Sequence, residues 1–256
     1  MTRLPGVIGA LALAYLALPL VALIARTPWT DVGSVLSSSA VATALGLSTV
    51  VSLVAAAICI VAGTPLAILL ADMSPALRRV LRPIVLLPIV LPPVVGGAAL
   101  LFALGRNGLV GRYLDDWFGL ALPFSTTGAI AAATFVALPF YVIAVETSLR
   151  SIDPELIEAA ETMGADRSAV LRHVTLPIAR PAIAAGTALA WARAVGEFGA
   201  TITFAGNLEG RTQTLPLATF QALQAGRTEE ALVISVVLLG LSLIVLGSLR
   251  DRLVSV

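Results

Sequence analysis

Lysine is absent from this chain of 256 residues, because all sixteen of its basic residues are arginine. The glycine-rich loop that binds nucleotide phosphates in many ATPases needs a lysine to reach those phosphates. The chain therefore cannot carry such an ATPase site, and a lysine Schiff base is excluded for the same reason. If ATP drives any activity of this protein, another polypeptide must bind the nucleotide.

Cysteine and histidine occur only once each. A single cysteine, Cys59, cannot form a disulfide within the chain, and its apolar surroundings in the sequence indicate a small buried side chain. We expect the single histidine, His173, to be solvated. No group of His, Cys, Asp or Glu residues has metal-ligand spacing, so the sequence predicts no metal site and no cofactor in this chain.

Charged residues are also scarce, at 12%, whereas 58% of the residues are hydrophobic and the mean hydropathy is +0.99. Soluble domains carry about 25% charged residues, so most of this chain is not expected to face water. We predict an all-α, polytopic membrane protein that forms a single domain over 1–256 in contact with membrane lipid. The net charge of +1 gives no indication of nucleic-acid binding, and no such partner is expected.

Six apolar segments are predicted to span the membrane, since about 20 apolar residues cross a bilayer as a helix. The first is interpreted as a retained helix because its apolar core is longer than that of a signal peptide. The third begins with four prolines between Pro83 and Pro93, which should bend or unwind its first part. The six segments cover about 6–25, 41–70, 83–104, 128–149, 178–205 and 230–249.

Arginine placement predicts the orientation, because cytoplasmic loops are enriched in basic residues. With the N-terminus in the cytoplasm, ten arginines fall on the inner side and five on the outer side, and Arg193 falls within a span. Both termini and residues 151–177 are then cytoplasmic. The outer connection after the third segment carries Tyr113, Trp117 and Phe118, so it is either a short helix at the lipid headgroups or an ordinary loop.

A polar stretch, "EAAETMGADRSAVLRHVTLP" at 158–177, interrupts this apolar chain. Asp153 is a good N-cap and Pro154 suits the first helical position, while Gly164 is a typical C-terminal stop. Asp166 predicts a second short helix that runs to His173. The stretch is therefore expected to form two short helices joined at a glycine.

The first of these helices is amphipathic. Leu156, Ala160 and Met163 share one face by helical spacing, and three glutamates form a polar face. A helix on the membrane surface would present basic residues to anionic lipid, which these glutamates would oppose. A protein partner therefore explains the helix better than a lipid surface does.

The run "EAA" at 158–160, followed by Gly164 and by "VTLP" at 174–177, resembles the EAA loop of permease subunits of bacterial ABC importers. The family pattern is E-A-A, three residues, G, nine residues and I-x-L-P, and only Val174 departs from it. In that family the first helix docks in a cleft of a separate ATPase subunit. The resemblance implies two ATPase subunits that bind ATP and Mg, a second copy of this chain, and coupling residues Glu158, Ala159, Ala160, Met163 and Gly164.

The fifth segment carries Arg193 and Glu197, four residues apart and so on one face of a helix. A charge at mid-membrane costs about 2.5–3.5 kcal/mol, and such residues normally face a cavity or a partner. They are either a mutually neutralising pair that holds the bundle together or, with Phe198, part of a gate in which Arg193 is available to an anion. Gly196 and Gly199 flank Glu197 and should allow close helix approach across an interface.

The same segment, "ARAVGEFGA" at 192–200, is similar to permeases of importers for sulfate, molybdate or tungstate. The stretches "LPPVVGG", "GRNGLVG" and "GRTQTLP", at 91–97, 105–111 and 210–216, resemble the molybdate branch. This implies the type I ABC importer permease fold, a bacterial or archaeal cell membrane, and an external molybdate-binding protein as partner. The chain would be a transporter subunit and no enzyme, with sulfate or tungstate as alternative substrates.

A transporter of another class, driven by an ion gradient, would need intramembrane carboxylates for a proton relay. The segments offer few: Glu197, and Glu146 near the end of the fourth segment. Glu146 precedes Arg150 by four residues, which is the spacing of a stabilising helix pair. A purely structural scaffold would leave the EAA loop and the charges of the fifth segment unexplained.

Overall fold

The structure, a computed structural model, describes residues 3–253, with side chains described for residues 4–244 and Gly247. Residues 3–253 contain helices and no strand, which confirms the all-α fold class. A short π-helical turn, Leu171–Thr175, joins two of the helices. The helices are α1 Arg3–Arg26, α2 Val32–Ser37, α3 Ser39–Asp72, α4 Pro75–Val90, α5 Pro93–Leu104, α6 Gly111–Phe118, α7 Thr126–Arg150, α8 Pro154–Thr162, α9 Arg167–Val170, α10 Leu176–Val195, α11 Gly199–Phe204, α12 Leu215–Gln224 and α13 Thr228–Leu253.

Three helices within residues 3–253 are long and apolar enough to cross a membrane alone, namely α1, α3 and α7. A fourth span can be formed by α4 and α5 together, which are bent by 116°. The predicted count of six spans is therefore not confirmed. The fifth predicted segment falls short because α10 carries two arginines and ends at Val195. The sixth lies within α13, whose last turns extend beyond the described side chains.

The predicted bend in the third segment is present, and consecutive prolines decide its place. Pro83 and Pro88 lie inside α4, whereas the helix breaks at Leu91 and Pro92, before Pro93 starts α5. A residue that precedes proline is pushed out of the helical region. Leu91 and Pro92 both precede a proline, and both are extended, with ψ of 133° and 132°. Two successive extended residues end the helix.

The core lies where α3, α7 and α10 pack together through faces rich in alanine. Ala55 and Ala137 are fully buried, and such small side chains let helix backbones approach closely in a membrane protein. Gly63 serves the same purpose, since a Cβ at this position would lie 2.6 Å from the ring of Tyr141. Cys59 is fully buried in this core, as the sequence indicated.

A buried carboxylate ties α4 to α7. The side chain of Glu146 is 1% exposed, and its oxygens lie 3.2 Å from Nε of Arg82 and 3.9 Å from Nη1 of Arg150. The Arg150 contact was predicted from helical spacing. The Arg82 contact was not, because it joins two helices that are distant in the sequence. The bent α4–α5 segment is thus held to the bundle by an ion pair as well as by packing.

We expect Arg82→Ala to destabilise the protein more than Arg150→Ala. Arg82 is closer to the buried carboxylate and comes from a different helix, so its loss removes a tertiary contact. Because Arg82 keeps 37% side-chain exposure, we expect a cost of about 1–3 kcal/mol, less than that of a fully buried pair. Thermal unfolding of the two variants in detergent tests this, and equal shifts of both would contradict it.

Candidate functional site

The first part of the EAA loop forms α8 and ends at a glycine, as predicted. Oδ1 of Asp153 accepts a hydrogen bond from the backbone N–H of Glu155 at 3.0 Å and so caps the helix. Gly164 has φ of +89°, and the N–H of Ala165 donates to the carbonyl of Ala160 at 3.0 Å. This is the usual closure of a helix by a glycine in the left-handed conformation.

The second short helix, expected from Asp166 to His173, is not a separate element, and this prediction is wrong. Oδ1 of Asp166 does cap α9 by accepting from the N–H of Ala169 at 2.7 Å. However, α9 continues through the π-helical turn into α10. Pro177, in the first turn of α10, explains the wider turn before it, because a proline ring clashes with the carbonyl of an ordinary preceding helical turn. α9 and α10 therefore form one continuous helical stretch that begins just after the glycine at the end of α8.

The three apolar residues that share one face of α8 by helical spacing differ in burial. Ala160 is 7% exposed, whereas Leu156 is 50% and Met163 is 83% exposed. The residue that joins Ala160 on the bundle side is Ile157, which packs against the main core. Leu156 and Met163 therefore lie on the surface of α8, and the exposed Glu158 lies on another side of the same helix.

A cavity of about 350 Å³ lies between α8, α9 and the ends of α3 and α7. Charged side chains of both signs line it: Asp72, Arg150, Glu161 and Arg167. The contact of α8 with the bundle is therefore incomplete along this side.

The fifth predicted segment is not one continuous helix, which corrects the expected span at 178–205. α10 ends at Val195, residues 196–198 form a break, and α11 starts at Gly199. Glu197 therefore lies in the break and not on the same helix as Arg193. The two side chains nevertheless form an ion pair, with Nη1 of Arg193 at 2.6 Å from Oε2 of Glu197.

Glu197 connects the two sides of the break. Its Oε2 meets Arg193 on α10, and its Oε1 accepts a hydrogen bond from the N–H of Ala200 on α11 at 2.8 Å. The Glu197 side chain is 2% exposed, and that of Arg193 is 28% exposed. The first N–H groups of a helix have no partner within the helix. The Glu197 carboxylate accepts a hydrogen bond from one of them, in α11, and also neutralises the charge of Arg193. This arrangement matches the neutralising pair, with a capping contact that the sequence did not indicate.

The break between α10 and α11 lies against the start of α5. A Cβ on Gly199 would overlap Cβ of Pro93, and a Cβ on Gly97 would lie 2.8 Å from the carbonyl oxygen of Ala200. Gly199 does allow a close approach, but the approach is made with α5 of the same chain and not across an interface as expected. Gly196 makes no such contact, since the nearest atom to its Cβ position is 3.9 Å away.

Two broken helices thus meet near the residues assigned to a gate. Arg193 lines a cavity of about 90 Å³ together with Leu91 at the other break and Gly96 in the first turn of α5. Phe198 packs edge to face on Phe220 of α12, with ring centroids 5.0 Å apart. The sequence showed the prolines of one break and the glycines of the other, but not that the two breaks are in contact.

Hydrogen bonds between side-chain amides hold the stretch at 210–216 in place. Nε2 of Gln213 donates to Oδ1 of Asn207 at 3.0 Å and also contacts Gln221, to which Nδ2 of Asn207 donates at 3.0 Å. Thr212 and Gln213 are 1% and 5% exposed. The residues that resemble the molybdate branch here therefore connect the end of α11 to α12.

The sequence of residues 63–256 matches the family described as "Binding-protein-dependent transport system inner membrane component". The chain belongs to this family. The match includes α8 and both helix breaks, and it confirms the resemblance to permease subunits that the EAA loop indicated. As an inner membrane component of such a transport system, the chain is a membrane subunit without an ATPase site of its own.

Two relatives show how close this likeness is. The "Molybdenum transport system permease protein ModB" of Mycobacterium tuberculosis is 43% identical over 217 residues, which cover 85% of this chain and 81% of the relative. The ModB protein of Escherichia coli is 42% identical over 172 residues, or 66% of this chain and 75% of that protein.

A solved structure shows the same fold at low sequence identity. A bacterial ABC transporter involved in the import of the acidic polysaccharide alginate aligns with a TM-score of 0.74 and 19% identity. The alignment covers 97% of this chain and 92% of that chain. At this identity the likeness concerns the fold alone, and it supports a type I ABC importer permease fold.

Proposed function

We propose that this protein is the membrane-spanning subunit of an ATP-driven importer that moves molybdate into the cytoplasm. The observation that carries the proposal is the 43% identity, over 85% of the chain, to a protein named for molybdenum transport. The chain has no lysine for a nucleotide-binding loop, so separate ATPase subunits bind ATP and Mg. The protein then lies in a bacterial or archaeal inner membrane with both termini in the cytoplasm.

The exposed face of α8 is the proposed ATPase contact. Leu156 and Met163 supply apolar area on one side of the exposed surface and Glu158 supplies charge on another, and all three are exposed. Ala159 is exposed beside them, while buried Ala160 seats the helix on the bundle. Gly164 sets the direction in which the chain leaves α8. Two copies of the chain would present two such helices to two ATPase subunits.

The junction of the two helix breaks is the proposed gate. Interrupted helices at membrane depth provide free helix ends and charged side chains where a transported ion passes. Glu197 links the two sides of the break between α10 and α11 through its contacts with Arg193 and Ala200. Phe198, in the same break, packs against Phe220 of α12. Closure of the ATPase pair would displace α8, and α9 and α10 would carry that displacement to the break. The gate then opens to one side or the other by a population shift.

An external binding protein is proposed to deliver the anion, and a second copy of this chain to form the other half of the pathway. The family description, a component of binding-protein-dependent transport, supports the first of these partners. The exposed apolar surface of α5, with Phe102 at 77% and Val94 at 57% exposure, is available to the second copy or to lipid.

Uptake of radiolabelled molybdate tests the substrate. We expect cells that lack only this gene to lose high-affinity uptake, and the restored gene to recover it. Tungstate in excess should compete and sulfate should not. If sulfate competes equally, the importer architecture stands and the substrate proposal is wrong.

Molybdate uptake into vesicles separates ATP-driven import from ion-coupled transport. The purified complex is reconstituted in vesicles, and molybdate uptake should require ATP on the side of the membrane where the ATPase subunits lie. Uptake should persist when an ionophore abolishes the proton gradient. Uptake driven by a proton gradient without ATP would overturn the proposed class of transporter.

A further inference from the structure

The connection between α5 and α7 is folded tightly onto the end of α5. The N–H groups of Leu109 and Val110 donate to the carbonyls of Phe102 and Ala103 at 3.1 and 2.8 Å. Gly111, the first residue of α6, lies so close to this turn that a Cβ there would overlap the carbonyl oxygen of Gly105. The position of α6 is therefore set by backbone contacts with the last turn of a helix that belongs to a membrane span.

α6 turns its aromatic residues away from the rest of the chain. Trp117 and Phe118 are 72% and 73% exposed, although these are among the most apolar side chains of the connection. Asp115 is half-buried and lies 3.9 Å from Nε of Arg106. Gly119, in the left-handed conformation with φ of +63°, ends the helix. The helix is thus amphipathic, with its apolar side unpartnered in the part of the chain that the structure describes.

The exposed side continues the apolar surface of α5. Leu109 is 78% exposed and its backbone is bonded to that of Phe102, which is itself 77% exposed. Tyr113 contacts Trp117 with ring centroids 5.3 Å apart, and the guanidinium of Arg112 lies 4.5 Å above the Tyr113 ring. Aromatic rings with an arginine beside them are typical of the boundary between hydrocarbon and headgroups.

We propose that α6 lies in the lipid headgroup region of the leaflet at the end of the bundle opposite α8. Trp117 and Phe118 enter the lipid below the headgroups, and Arg112 reaches the phosphates. Because α6 is bonded to the last turn of α5, this anchor holds α5 at a set depth. The break at Pro93, at the other end of α5, is then held at a set depth as well.

Spin labels at two positions of α6 test this proposal in the complete transporter. Phe118→Cys and Asp116→Cys place one label on each side of the same helix, and buried Cys59 does not compete for the label. The labelled complexes are reconstituted in vesicles of phosphatidylethanolamine and phosphatidylglycerol. Collision of each label with oxygen, which concentrates in lipid, is compared with collision with a water-soluble nickel complex.

We expect the label at 118 to collide more with oxygen and the label at 116 to collide more with the nickel complex. If both labels collide mainly with the nickel complex, α6 lies in water and the proposal is wrong. If neither reagent reaches position 118, a protein surface covers α6, which also overturns it. Retained molybdate uptake in each labelled complex shows that the helix is in its native position.

Discussion

Glu197→Gln should remove most transport activity and leave the protein in the membrane. The amide oxygen of Gln can still accept the hydrogen bond from Ala200, so the cap of α11 remains. The negative charge 2.6 Å from Arg193 is lost, however, and the guanidinium is left without its partner in a site where it is only 28% exposed. The conformation in which this pair forms is then selectively destabilised.

The expected size of the effect follows from the burial of the pair. Breaking a fully buried ion pair costs about 3–5 kcal/mol, and the partial exposure of Arg193 reduces this to roughly 2 kcal/mol. A change of roughly 2 kcal/mol shifts an equilibrium between two conformations by about 30-fold. Molybdate uptake and ATP hydrolysis by the reconstituted complex measure this shift, and unchanged values for both would refute the gate assignment.

A doubly neutral variant separates the gate from a purely structural pair. Arg193→Gln combined with Glu197→Gln leaves no unpaired charge, so thermal stability should return close to that of the unaltered protein. If the pair controls the gate, uptake stays low in this variant. If uptake recovers along with stability, the pair serves only to hold the bundle together.

Gly164→Val should abolish co-purification of the ATPase subunit without loss of membrane insertion. A β-branched residue strongly disfavours the φ of +89° at this position. The end of α8 must then rearrange, which displaces Met163 and the exposed face proposed to contact the ATPase. Nothing lies within 4 Å of the position that a Cβ would take here, so steric overlap with the bundle plays no part.

Gly226→Val is the matched control for this experiment. Gly226 ends α12 with φ of +72°, and the N–H of Arg227 donates to the carbonyl of Ala222 at 2.9 Å, the same closure as at the end of α8. It too has nothing within 4 Å of its Cβ position. The control should therefore suffer similar backbone strain and retain the ATPase. Equal loss of the ATPase in both variants would show a general effect of strain and count against α8 as the docking helix.

The local features of α8 could be read from the sequence because they depend on neighbouring residues. The cap by Asp153, the stop at Gly164 and the cap by Asp166 each use hydrogen bonds within about four residues. The same reasoning failed between Leu171 and Thr175. There the outcome depends on continuity with α10, which is a packed element of the bundle.

Arg193 and Glu197, the residues of the proposed gate, show the limit of sequence reasoning more clearly. Arg193 and Glu197 were identified because charges are rare and costly in an apolar segment. Their pairing was predicted, but the helix break that places Glu197 between two helix ends was not. The apolar pattern of the sequence continues across such a break. Side-chain polarity therefore does not show where the backbone hydrogen bonds of the helix stop.

Three properties could be read from the amino-acid sequence alone: the protein is a helical membrane protein, it has no lysine for a nucleotide-binding loop, and it carries an EAA loop. These properties follow from composition and from residues close together in the chain. Only the tertiary structure decided that Pro93 meets Gly199 and that Arg82 meets Glu146. Each of these contacts joins helices far apart in the sequence. The first is a close backbone approach that glycine permits, and the second is an ion pair that forms only when the bundle brings α4 to α7.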